Sequence, residues 1–182
     1  MKSTDIKKLA LAAMFTAIGL LLPFLTGQIK QIGNMLLPMH IPVLLCGLVC
    51  GKYYGMAVGG ILPIMRSVLF GMPVMFPSAA AMAFELAAYG FIVGMLYSSF
   101  KKQDIHSLYL SLLGAMAGGR VIWGIVMSFM MGFGNFTFKA FLTSAFLNAV
   151  PGMILQLLLI PSVMLALNKT KLVPFKKGED SV

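Results

Sequence analysis

Long apolar runs, separated by short polar breaks, dominate the chain. Six of them can be distinguished, at about residues 9 to 25, 36 to 51, 54 to 71, 78 to 99, 108 to 131 and 141 to 167. A transmembrane helix needs about 20 predominantly apolar residues, and most of these runs approach or exceed that length. The pattern predicts an all-α integral membrane protein in which a bundle of six transmembrane helices forms one domain over residues 1–182.

Composition supports the same class of protein. Of the 182 residues, 59% are hydrophobic and only 10% are charged, and the mean hydropathy is +0.94. Soluble domains average about 25% charged residues, so a water-facing surface is excluded and no room is left for a second, soluble domain. Lys2 to Lys8 and the apolar run after them resemble a signal peptide. No small-x-small cleavage site precedes Thr26, so we expect an uncleaved first span.

The distribution of positive charge predicts the orientation in the membrane. Fourteen Lys and Arg against five Asp and Glu give a net charge of +9, which in a soluble protein would suggest nucleic acid as a partner. In a membrane protein such an excess follows the positive-inside rule. With six spans, one side carries Lys2, Lys7, Lys8, Lys52, Lys101, Lys102, Lys169, Lys171, Lys176 and Lys177, against Lys30 and Lys139 opposite. We therefore expect cytoplasmic termini in a multi-pass cell-membrane protein, with lipid and not nucleic acid around it.

Three ionisable residues fall inside predicted spans, where charge is costly and often functional. Arg66, Glu85 and Arg120, together with Asn148, are expected in the outer half of the bundle, where all four can face one cavity. Glu85 with one arginine can equally form a structural ion pair. Because a guanidinium keeps its charge, the other arginine would still need an anion, and a carboxylate suits it through a bidentate contact.

Aromatic residues extend this polar patch at helical spacing. Tyr89 lies one turn from Glu85, and Trp123 lies one turn from Arg120, so a small and partly apolar metabolite would fit between them. The alternative is that both rings are packing or interfacial residues. His40, near the outer start of the second span, is a further candidate, although a lone histidine is more often structural.

The chain lacks the motifs of several other function classes. Gly47 to Lys52 has the wrong spacing for a phosphate loop, and no nucleophile motif or metal-ligand cluster is present. Cys46 and Cys50, four residues apart in an apolar run, are expected to be packing residues. An intramembrane enzyme using Glu85 and His40 as acid or base remains an alternative. So does a channel or assembly protein, although the inner half offers little polar lining beyond Gln156.

The chain resembles the substrate-binding S component of an energy-coupling factor (ECF) vitamin transporter. The basic N-terminus and six short spans fit that family, and Ala13-Met14-Phe15-Thr16-Ala17 matches its Ala-x-x-x-Ala docking motif. The stretch Leu37-Pro38-Met39-His40-Ile41-Pro42-Val43-Leu44-Leu45-Cys46-Gly47 is similar to the pantothenate-type branch.

This resemblance implies a transport subunit that works with partner subunits, and not an enzyme. The chain would capture a vitamin from outside, and a transmembrane coupling subunit with two ATPase subunits would supply energy from ATP, so that no cofactor is expected in the chain itself. Ala13 and Ala17 would line the coupling face. The ligand would lie under the outer loops near Arg66, Glu85, Arg120 and Asn148, with Asn34 helping to form a lid.

Pantothenate, with one carboxylate, hydroxyls and an amide, fits a site that has surplus arginine. Pyridoxine, a pyrimidine precursor or a queuosine precursor is the alternative within the family. Such a ligand would use Trp123 and Tyr89 as stacking partners.

Overall fold

The structure, a computed structural model, describes residues 3–25, 36–132, 143 and 149–170. Within these ranges it contains six α-helices, and a short π-helical turn, Met75–Ala79, leads into the fourth of them. The helices are α1 Ser3–Leu25, α2 His40–Cys50, α3 Lys52–Phe70, α4 Ala80–Ser99, α5 Ile105–Met131 and α6 Val150–Lys169.

Five stretches of helix are long and apolar enough to cross a membrane: Asp5–Phe24, Lys52–Phe70, Met75–Ser99, Ile105–Met131 and Val150–Lys169. The helix α2 is apolar but has only 11 residues. It begins after a turn at Pro38 and Met39, and it ends at Gly51, where a φ of 100° favours glycine and reverses the chain into α3. The number of spans and the orientation of the termini stay predictions.

Large apolar side chains cover the outside of the helices. Leu21, Val68, Phe84 and Leu158 are each at least 60% exposed. Soluble proteins rarely present such surfaces to water, whereas lipid is their ordinary solvent. The exposed apolar surface and the five apolar helices identify a multi-pass membrane protein.

The helices α2, α3 and α4 meet at their backbones through glycines. A Cβ atom added to Gly47 would lie 2.5 Å from the carbonyl oxygen of Gly90, and one added to Gly55 would lie 2.6 Å from the Cα of Gly47. Glycines at intervals of four allow this approach, because lipid-embedded helices associate through close van der Waals packing. These contacts fix α2 and α4 side by side.

One helix start is defined by a polar cap. The Asp104 carboxylate accepts a hydrogen bond from the Ser107 backbone N–H at 3.0 Å, and the Ser107 hydroxyl accepts one from the Asp104 N–H at 2.8 Å. This reciprocal capping box satisfies two backbone donors. The Ser107 N–H holds the pKa of the Asp104 carboxyl below its usual range. The cap fixes where α5 begins.

We call the end of the bundle where α2, α4 and α6 end and α3 and α5 begin the basic end. The lysines at this end include Lys8, Lys52, Lys101, Lys102 and Lys169.

Candidate ligand-binding site

Four polar side chains from three helices form a buried group in the interior of the bundle. His40 comes from α2, Glu85 and Tyr89 from α4, and Arg120 from α5; we call these four residues the polar cluster. His40 and Tyr89 have no exposed surface, and Glu85 and Arg120 are 2% and 4% exposed. Charged residues are seldom buried so fully unless they are paired.

Glu85 is the centre of the polar cluster. Its Oε1 lies 3.1 Å from Arg120 Nη1 and 3.5 Å from His40 Nε2. Of the two arginines that the sequence offers as partners for Glu85, the structure places Arg120 beside it. Two helices, α4 and α5, are thereby joined by a buried ion pair.

Local sequence explains how these side chains meet. Glu85 and Tyr89 are four residues apart, so they lie on one face of α4. Gly119 precedes Arg120 on α5, and a Cβ atom there would collide with the Tyr89 ring, so glycine is what lets the ring pack against α5. His40 packs edge-on against the same ring, with centroids 5.0 Å apart and planes at 84°. Tyr89 is therefore enclosed, which does not favour it as a stacking platform.

Several polar atoms of the cluster have no hydrogen-bond partner among the described residues. They are Arg120 Nε and Nη2, the Tyr89 hydroxyl, His40 Nδ1 and Nε2, and Glu85 Oε1. Nε and Nη2 form one edge of the planar guanidinium, and their N–H groups are parallel, so this edge can donate two hydrogen bonds to a carboxylate. Unmade hydrogen bonds on buried polar groups cost about 1–3 kcal/mol each. The cluster is thus equipped to receive a polar ligand.

Arg66 lies between α1 and α3, in a different setting from Arg120. Its Nη1 donates a hydrogen bond to the Leu20 carbonyl at 2.6 Å, and the guanidinium lies 5.0 and 5.4 Å from the rings of Phe24 and Phe70. The contacts of Arg66 are those of a link between two helices.

The remaining predicted residues are placed as follows. Trp123 is half-buried on α5, one turn beyond Arg120. Asn34 and Asn148 lie outside the described residues. Among the residues that are described, no three His, Cys, Asp or Glu side chains come close enough to hold a metal ion.

Gln156 is a buried polar residue that the sequence analysis leaves out of the site. It has no exposed surface, and neither its amide oxygen nor its amide nitrogen has a partner within the described ranges. The signal was a lone amide in an otherwise apolar run. Position along the chain alone places Gln156 deeper in the bundle than the arginines, so the sequence does not predict it as part of the site.

Comparison with known proteins identifies a family. The sequence profile of the family described as ECF transporter, substrate-specific component, matches residues 7–164. No curated protein and no solved structure is significantly similar to the chain.

Proposed function

Since the chain belongs to the substrate-specific components of ECF transporters, a family of transport subunits and not of enzymes, we propose that it binds a small anionic vitamin such as pantothenate. It takes this ligand from outside the cell and passes it inward. The resemblance seen in the sequence is confirmed at the level of the family. The ligand and the direction of transport are the proposal.

The observation that supports an anionic ligand is the edge of Arg120 formed by Nε and Nη2. The Glu85 carboxylate lies 3.1 Å from Nη1. The edge formed by Nε and Nη2 is therefore left for a second carboxylate. Because this edge is buried, a ligand carboxylate placed there would form charge-assisted hydrogen bonds away from competing water. The Tyr89 hydroxyl, also without a partner among the described residues, can bond an adjacent hydroxyl or amide of the ligand.

Calorimetric binding to the purified chain in detergent tests this function. We expect tight binding of pantothenate by the isolated chain, because the proposed contacts all come from this subunit. Preference for pyridoxine, a pyrimidine precursor or a queuosine precursor would agree with the family. It would contradict the proposal that the ligand carries a carboxylate. Folded protein that binds none of these compounds would contradict the proposed ligand class.

Substitutions of Arg120 test whether this residue binds the carboxylate of the ligand. Arg120→Ala should weaken pantothenate binding at least about tenfold, since hydrogen bonds to charged groups contribute about 1.5–3 kcal/mol. Arg120→Lys keeps the charge but loses the planar edge, so it should restore binding only in part. Calorimetry on variants with wild-type elution from a sizing column measures both.

Arg66→Lys is the matched control for these variants. It retains a cation between Phe24 and Phe70, outside the polar cluster, and should leave affinity close to that of the wild type. If substitution of Arg66 weakens pantothenate binding and substitution of Arg120 does not, the ligand carboxylate lies between α1 and α3. The proposed position beside Arg120 would then be wrong.

A second part of the proposal concerns energy coupling. In α1, Ala12 and Phe15 are buried against the bundle, whereas Ala13 and Ala17 are exposed. Small residues four apart on an exposed face allow another helix to approach closely. We place the transmembrane coupling subunit on this face, with two ATPase subunits that hydrolyse ATP.

Enlarging this face should uncouple transport from binding. Ala13→Leu with Ala17→Leu would keep a second helix from approaching closely, so vitamin uptake by cells expressing the complete transporter should be lost. Binding by the purified double variant should stay unchanged, because neither side chain faces the interior. Loss of binding together with uptake would show that these alanines are packing residues.

A further inference from the structure

Gln156 is a buried polar residue that lies outside the polar cluster as defined above and has no role in the helix contacts described so far. On α6 it belongs to a face that also carries Gly152, Ile160 and Met164, all buried. The amide offers one acceptor and two donor hydrogens, and none of them is satisfied by the described residues. Native proteins rarely leave such groups without a partner.

The face of α6 that carries Gln156 is turned toward the helices of the polar cluster. The helix packs on both α5 and α2, which supply Arg120 and His40. The helix α4, which carries Glu85 and Tyr89, packs on the same two helices. Among the described buried side chains of α6, Gln156 is the polar one.

Position along the helices agrees with this arrangement. At 1.5 Å per residue, Glu85, Arg120 and Gln156 lie about 21, 22 and 20 Å from the basic end of their own helices. Side chains lean toward the start of their helix, so Gln156 leans away from the basic end and Arg120 leans toward it. The two side chains therefore lean toward the same level of the bundle.

We infer that Gln156 belongs to the ligand site at the polar cluster and hydrogen-bonds a neutral amide or hydroxyl group of the bound vitamin. This inference rests on the proposed function and adds a second requirement to it. Arg120 binds the carboxylate, whereas Gln156 selects compounds that carry a neutral donor or acceptor beside it. A site that holds a polar group of its own rejects analogues that cannot pair with it.

Cysteine accessibility tests the position without any vitamin. In Gln156→Cys, the charged, water-soluble reagent 2-sulfonatoethyl methanethiosulfonate should modify the thiol at least about tenfold faster than in Ile160→Cys, whose site lies one turn further along the same face. Leu158→Cys, on the lipid-facing side, is the second control. The native Cys46 and Cys50 are buried, and wild-type protein gives their background. Labelling of Gln156→Cys as slow as that of Ile160→Cys overturns the inference.

Affinity tests the role in binding, with pantothenate as the probe. Gln156→Leu, which keeps the bulk and removes the amide, should weaken binding about tenfold or more, and Leu158→Ala should not. Bound pantothenate should also slow labelling of the Gln156→Cys variant. Unchanged affinity of folded Gln156→Leu overturns the inference even when the wild type binds tightly. If the wild type binds no vitamin, the proposed ligand fails, and the labelling rates still decide whether Gln156 faces the ligand site.

Discussion

The junction of α2, α3 and α4 and the junction of α5 and α6 are held by different kinds of contact. In the first, backbone lies against backbone: a Cβ atom on Gly94 would come within 2.6 Å of the Lys52 nitrogen and 2.7 Å of the Gly47 carbonyl oxygen. In the second, side chains meet and leave space. An apolar cavity of about 320 Å³ lies between the two helices, lined by Leu113, Met116, Ala117, Val150, Met153, Ile154 and Leu157.

This difference bears on how the candidate site works. His40 and Glu85 stand on the glycine-packed helices, where a shift of either backbone would cause collisions, so their relative positions are fixed. Gln156 stands on α6, next to the looser junction. Methionines such as Met116 and Met153 are flexible and adapt to changes in packing. The glycine-packed helices therefore hold His40 and Glu85 in place, whereas Arg120 on α5 and Gln156 on α6 belong to the two helices whose side chains leave space between them.

The largest effect is expected from a substitution that disrupts the glycine-packed junction of α2, α3 and α4. Gly59→Ala would drive a Cβ atom into the Leu86 carbonyl and to 2.7 Å from the Ala87 nitrogen, and backbone cannot yield as a side chain tip can. Overpacking a close-fitting interior costs about 1–3 kcal/mol, sometimes more. We expect a clear drop in the thermal unfolding temperature in detergent and a large loss of vitamin binding.

The neighbouring glycine supplies the control. A Cβ atom on Gly60 would meet only the Ala87 Cβ among the described residues, at an ordinary 3.9 Å. Gly60→Ala is the same chemical change on the same helix, and should leave stability unchanged or raise it by up to about 1 kcal/mol. Equal losses in both variants would mean that α3 and α4 do not touch as described.

Much of this architecture could be predicted from the sequence because its signals are local. Apolar runs of about 20 residues mark helices that can cross lipid, and glycines four residues apart, such as Gly55 and Gly59 or Gly90 and Gly94, are typical of close helix packing. The apolar outer surface can be predicted from the same apolar runs. The residue at which α2 begins could not be predicted, because the turn that precedes it depends on backbone angles at Leu37, where φ is 49°.

The candidate site was harder to predict from the sequence, because it depends on which helices are neighbours. Sequence spacing put Tyr89 beside Glu85 on one helix, but it could not choose between Arg66 and Arg120 as the partner of Glu85. That choice follows from α4 packing on α5, with Gly119 admitting the Tyr89 ring. Whether Arg66, Asn34 and Asn148 contact a ligand stays a prediction.

The smallest expected effect is at the looser junction. Ala117 lines the cavity, so Ala117→Leu adds apolar atoms to existing space. Filling a cavity commonly adds about 0.5–2 kcal/mol of stability, and because Ala117 is itself exposed at the edge of this cavity we expect the lower end of that range. Ala115, two residues away, has no exposed surface, so Ala115→Leu should destabilise by about 1–3 kcal/mol through overpacking. Thermal unfolding of both variants in one detergent measures the contrast. Destabilisation by Ala117→Leu as large as that by Ala115→Leu would show that α5 and α6 pack as tightly as the glycine-bearing helices.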